Sequence, residues 1–202
     1  MARMMQWVLR FLFPADSPRE QREQITGIFE SLRRQIPLLY GVALVNLLGL
    51  HVATHGGELR WFSPLTILSA ILLWRMIYWI AFQKPSENFA RIKRELVTMV
   101  LFTTILCLGF SIWAQSLITA YPSETMTILL YSVLAALGVA YGLSSFPRAA
   151  LLPLLILGLP VAIRLFWMGK PSDRGIALSL IFVLALFIWQ LHVHNRALRG
   201  LV

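Results

Sequence analysis

Charge is scarce in this chain: 13% of its 202 residues are Asp, Glu, Lys or Arg, against 58% hydrophobic. Mean hydropathy is +0.71. A soluble domain carries about 25% charged residues, so a water-facing globule of this size is excluded. Cysteine is scarcer still. Cys107 stands alone, which rules out a disulfide framework within one chain and reads as a small core residue. The phosphate-cradling G-x-x-x-x-G-K-[ST], the nucleophile elbow G-x-S-x-G and the zinc motif H-E-x-x-H are all missing. No carboxylate pair falls in a predicted cleft, and the connections between apolar runs are too short for a folded soluble active site. The chain by itself is therefore read as a non-enzyme. An intramembrane enzyme would lack a nucleophile or an acid–base pair. No acidic residue stands deep in an apolar run, which argues against a proton-driven carrier, since those relay protons through buried carboxylates.

Long apolar runs are what the chain has. Six of them, each about a bilayer thick, fill residues 37–194. A helix needs about 20 apolar residues to cross the hydrocarbon core, and only closed backbone hydrogen bonding is tolerated there. The predicted spans are Pro37–His55, Pro64–Phe82, Glu95–Leu117, Thr125–Leu143, Ala149–Met168 and Ile176–His194. Short turns join them, so the expected fold is an all-α polytopic membrane protein, six transmembrane helices forming three antiparallel hairpins. Residues 1–36 form an N-terminal amphipathic segment. Met1–Phe13 reads as a retained interfacial helix. Ser17-Pro18-Arg19-Glu20 opens a second helix with an N-cap, a first-position proline and a capping box. Ile25, Ile28, Phe29, Leu32 and Ile36 share one face of it. Two readings stay open for that face: a helix lying on the membrane surface, or one packed against its own protein. Residues 195–202 begin a polar helical continuation.

The basic residues are distributed unevenly. Arg3, Arg10, Arg19, Arg22, Arg33, Arg34, Lys84, Arg91, Lys93, Arg94, Arg148, Arg196 and Arg199 fall on one side, and Arg60, Lys170 and Arg174 on the other. The positive-inside rule makes the richer side cytoplasmic and puts both termini there. The net charge of +9 is accounted for by topology and anionic lipid rather than nucleic acid. Trp61, Trp113, Tyr121 and Trp167 fall near outer ends, and Tyr78 and Trp79 near an inner end, as aromatic belts would place them.

His51 and His55 are the sharpest local feature. Four residues apart, they share a helix face, and imidazoles at that spacing can hold a metal ion or a haem iron. The alternatives are another ligand, pH sensing, or plain helix capping before Gly56-Gly57. Asn46, Trp61, Tyr121 and Arg164 join them as ligand-binding candidates, being polar or aromatic and in the outer half. Asn46 equally suits interhelical glue. Arg75 and Arg164 stand within spans, where each can be functional or can snorkel, Arg75 inward and Arg164 outward. Ala135, Gly138 and Gly142 make a small-residue stripe for helix packing or a dimer face. Pro153 and Pro160 should bend the fifth span.

The last span does not stop at a breaker: WQLHVHNRALRGLV continues in helical phase, turns polar and suggests an onward connection. The lead-in SLRRQIPLLYGVALVNLLGL, the W-x-x-x-L-x-x-x-Y-P run from Trp113 to Pro122 and the exit HNRALRG resemble the N-terminal membrane region of bacterial GGDEF and GGDEF–EAL proteins. Similar regions precede some sensor histidine kinases. The resemblance implies a sensory or anchoring input domain of the bacterial inner membrane. Its expected partners are membrane lipid, a covalently attached cytoplasmic signalling domain that makes or breaks cyclic di-GMP, and a second copy in a homodimer. Gln190, His194, Asn195 and Arg196 would carry the signal out. Neither the GGDEF nor the EAL signature is present, so no catalytic residue carries over. The alternative is a free-standing small-molecule carrier or channel.

Overall fold

The computed structural model describes residues 18–55, 64–81, 89–168 and 171–199, with side chains for 22, 25–54, 64–81, 89–167, 173–190 and 193. Among the described residues there are six helices long and apolar enough to cross a membrane, and no strand. They are α1 (Pro18–His55), α2 (Pro64–Ala81), α3 (Phe89–Ala120), α4 (Thr125–Gly142), α5 and α6 (Pro171–Arg199). A 3-10 turn at Pro122–Glu124 leads into α4. α5 comes in three pieces: α-helical Pro147–Pro153, a π-helical turn Leu154–Gly158, and α-helical Leu159–Met168. Every span leaves large apolar side chains uncovered, among them Val45, Trp74, Ile112, Leu130, Trp167 and Trp189. Water does not tolerate that pattern around a whole molecule, and lipid requires it. The chain is an all-α polytopic membrane protein.

From Pro18 onward, the amphipathic segment and the first span are one helix. At 1.5 Å per residue, the 38 residues of α1 extend about 57 Å, nearly twice the hydrocarbon thickness. Pro37 therefore lies inside a helix rather than at its start. It supplies no N–H to the Arg33 carbonyl, a defect worth about 3 kcal/mol in an unsupported helix. Packing on both flanks of Pro37 holds the helix together. Ile25, Phe29, Leu32 and Ile36 before it and Leu39 and Tyr40 after it are all buried. The partners are protein: Phe29 meets Trp79 of α2 at 6.1 Å between ring centroids, and the Arg22 guanidinium stands 5.3 Å over the Phe89 ring of α3. In the α4–α5 turn, the Ser145 hydroxyl donates to Gln35 Oε1 at 3.1 Å and lies 2.7 Å from the Ser31 hydroxyl. Within residues 22–36, the apolar face belongs to the bundle. Ser17 and Met1–Phe13 lie outside the described residues.

α1 and α4 approach closely. A Cβ on Gly142 would stand 2.7 Å from Leu39 Cδ1, and one on Gly138 3.1 Å from Val42 Cγ1. The exchange is reciprocal, because a Cβ on Gly49 of α1 would meet the Tyr131 ring of α4 at 2.9 Å. Lipid tails are as apolar as leucine, so helices associate in a membrane by such close approach rather than by a hydrophobic drive. Two members of the small-residue stripe, Gly138 and Gly142, meet α1 at Val42 and Leu39. Trp79 and Trp113 also point inward, buried in the core. They are not belt residues, whereas Trp167 is exposed.

Candidate functional site

Asn46 is buried and donates from Nδ2 to the Tyr131 carbonyl of α4 at 2.9 Å. It ties the close pair together and also borders a cavity. That cavity, of about 50 Å³, lies between α1, α2, α3, α4 and α5. Leu47, Leu72, Thr103, Cys107, Phe110 and Leu157 are among the residues lining it, and no polar atom faces into it. The space exceeds one water, but a water without polar partners is not held, so the cavity is dry.

The other outer-half candidates stand apart from it. His51 is buried on α1, and Tyr121 is half-buried at the start of the 3-10 turn. Arg164 is half-buried as well; its Nη1 donates to Gln115 Oε1 of α3 at 2.9 Å, so it is held by the bundle instead of reaching outward to the headgroups. Among the described residues, Asn46 alone of these candidates lines the cavity. Trp61 and the His55 side chain lie outside the described residues. No group of three His, Cys, Asp or Glu side chains converges on a metal position among the described residues. Gln190 is exposed on α6, and His194, Asn195 and Arg196 come after it on the same continuous helix, their side chains outside the described set.

The wall of the cavity formed by α5 is irregular for a chemical reason. Pro160 offers no N–H to the carbonyl of Ile156, four residues earlier, and Ser111 of α3 donates to that oxygen at 3.3 Å. Pro153 likewise has no N–H to give. Between the two prolines the backbone widens to the π turn Leu154–Gly158, a form found mostly as single turns at functional sites. This turn faces two ways. Leu157 lines the cavity, and Gly158 is seated against Leu184 of α6, with a notional Cβ 3.0 Å from Leu184 Cδ2. α6 itself packs chiefly on α5, burying Ala177, Leu180 and Leu184, with Phe187 half-buried and most of the other described side chains exposed.

On α2, Arg75 departs from the snorkelling expectation. It is 5% exposed. Its guanidinium lies 4.7 Å from the Phe102 ring centroid and 5.3 Å from that of Tyr78. Depth along a helix is readable from sequence; the direction a side chain takes around it depends on neighbours from α1 and α3 that sequence does not align. Nε and Nη2 of Arg75, the Tyr40 hydroxyl and Trp79 Nε1 are buried without hydrogen-bond partners among the described residues. No family model, curated protein or solved structure matches the chain.

Proposed function

We propose that the chain is a membrane-embedded sensory or anchoring input domain whose last helix passes a change in the bundle to an output domain on the basic side. The single observation that carries this reading is the π turn of α5. It touches the interior cavity through Leu157 and bears on Leu184 of α6 through Gly158. A π turn holds one residue more than an α turn, so resetting it would rotate the rest of α5 by about 100°. α6 has three buried residues as its grip on the bundle and would move with α5. Its 29 residues, Pro171–Arg199, extend about 44 Å, longer than the hydrocarbon core is thick. A continuous helix of that length transmits rotation and translation as a rod. Any stimulus acting this way must bind the two helix arrangements with different affinity.

The resemblance to GGDEF and GGDEF–EAL membrane regions supports a cyclic di-GMP cyclase or phosphodiesterase as the output, with a histidine kinase as the related case, working as a homodimer. The Lys and Arg bias supports a bacterial inner-membrane location with both ends cytoplasmic. The test joins the chain through Arg199 to a diguanylate cyclase domain with one to four alanines inserted at the junction, each turning the output by about 100°. Cyclic di-GMP production should rise and fall with helical period, by about fivefold or more between best and worst phase. Production that stays flat across all four insertions refutes transmission through α6 and leaves anchoring only.

A further inference from the structure

We propose that Arg75, Tyr40 and Trp79 form a binding site inside the inner half of the bundle for an oxyanion, a carboxylate or phosphate group. The inference does not depend on what α6 feeds, because it rests on unpaired donors alone. Arg75 is 5% exposed, Trp79 2% and Tyr40 1%. Buried polar groups in proteins are paired in the large majority of cases, and an orphan needs an explanation. Here three buried side chains of α1 and α2 are orphaned, and every one can donate. Trp79 stands one turn beyond Arg75 on the same face of α2. The Tyr40 hydroxyl of α1 lies beside the Arg75 guanidinium and the Thr103 hydroxyl, yet has hydrogen-bond geometry to neither.

The unpaired atoms of Arg75 also specify the shape of the missing partner. Nε and Nη2 form the side-on edge of the guanidinium, two parallel N–H groups that match two oxygens of a carboxylate or phosphate. The cation already stands over the Phe102 and Tyr78 rings. Ring faces attract a cation but give its in-plane N–H groups nothing to bond. Among the described residues no carboxylate pairs with Arg75. Glu95 comes near through Tyr78, whose hydroxyl donates to Oε1 at 3.5 Å. A cation held in a membrane bundle with no anion paired to it is costly, and an exogenous oxyanion removes both the charge imbalance and the orphaned donors.

The oxygens can come from a membrane amphiphile or from the aqueous phase, and the experiment separates them. The full chain is purified free of lipid in dodecyl maltoside, which carries no anionic group. Its thermal midpoint is followed against inorganic phosphate, oleate and phosphatidylglycerol, with neutral monoolein as control. At least one oxyanion should raise the midpoint saturably, and monoolein should not. A response to oleate or phosphatidylglycerol alone assigns a membrane source, and a response to phosphate an aqueous one. Arg75→Gln and Arg75→Lys should each weaken apparent binding by about tenfold or more, Lys because it keeps the charge but loses the fork. Tyr40→Phe keeps the ring and loses one hydroxyl; it should weaken binding several-fold and decides the matter where the arginine variants do not fold. No saturable shift with any oxyanion, or equal shifts in wild type and in the folded variants, overturns the proposal.

Discussion

Adding one methyl group at each of three glycines tests the packing of the bundle, because the structure gives each a different neighbour. In Gly142→Ala the new Cβ would lie 2.7 Å from Leu39 Cδ1 and 2.8 Å from Leu39 Cβ. Cδ1 can rotate away, but Cβ is fixed to the α1 backbone, so α1 and α4 must separate. Overpacking of this kind costs roughly 1–3 kcal/mol, and replacing Gly by Ala within a helix returns at most about 1 kcal/mol. With the full propensity gain, the expected net is a loss of up to about 2 kcal/mol. Gly138→Ala meets one atom, Val42 Cγ1, at 3.1 Å, the end of a side chain, and the two terms should nearly cancel. Gly109→Ala meets Leu68 Cδ2 at 3.5 Å, an ordinary contact, so propensity should dominate and stabilise by up to about 1 kcal/mol. Unfolding in mixed dodecyl maltoside and SDS micelles, followed by far-UV circular dichroism, measures all three. The order should be Gly109→Ala above wild type, Gly138→Ala near it and Gly142→Ala below. Equal stability at Gly142 and Gly109 would refute the close α1–α4 approach.

The Ser111–Ile156 bond gives a second test. Ser111→Ala leaves the Ile156 carbonyl without its donor and should cost about 1–2 kcal/mol in wild type but little in Pro160→Ala, where a backbone N–H returns. A double-mutant cycle with no coupling contradicts the account of α5. Asn46→Leu removes the link from Nδ2 to the Tyr131 carbonyl and should cost about 0.6 kcal/mol, and at most about 1.7 kcal/mol, as interhelical hydrogen bonds in lipid do; no loss in the same unfolding assay would make Asn46 dispensable to the α1–α4 pair. Cys107 is 4% exposed against the cavity, so a bulky maleimide should label it only after unfolding. Labelling of the folded protein at the unfolded rate would show the interior to be open.

Helix number and type were legible because the bilayer imposes one rule on every span, and Pro64 opens α2 and Thr125 opens α4 where the apolar runs begin. What sequence withheld was the identity of neighbours. Ile25, Phe29, Leu32 and Ile36 mark an apolar face, but a face that suits lipid also suits Trp79 and the α4–α5 turn, so the helix through Pro37 was hidden. Gly138 and Gly142 announce close approach without saying to which helix. Arg75 announces a cost without saying whether it turns to the headgroups or to Phe102. The outer-half candidates share depth and polar or aromatic character, and neither gathers residues: Asn46 reaches the cavity while Arg164 is taken by Gln115.

Cysteine accessibility from each face of the membrane tests the central claim, six crossings with both ends on one side, most directly. In a Cys107→Ser background, Arg22→Cys, Asp173→Cys and Arg199→Cys are labelled one at a time by an impermeant maleimide in right-side-out and inside-out vesicles. The account predicts that the cysteines replacing Arg22 and Arg199 react from the same face and the one replacing Asp173 from the other. Labelling of the two end positions from opposite faces would contradict it.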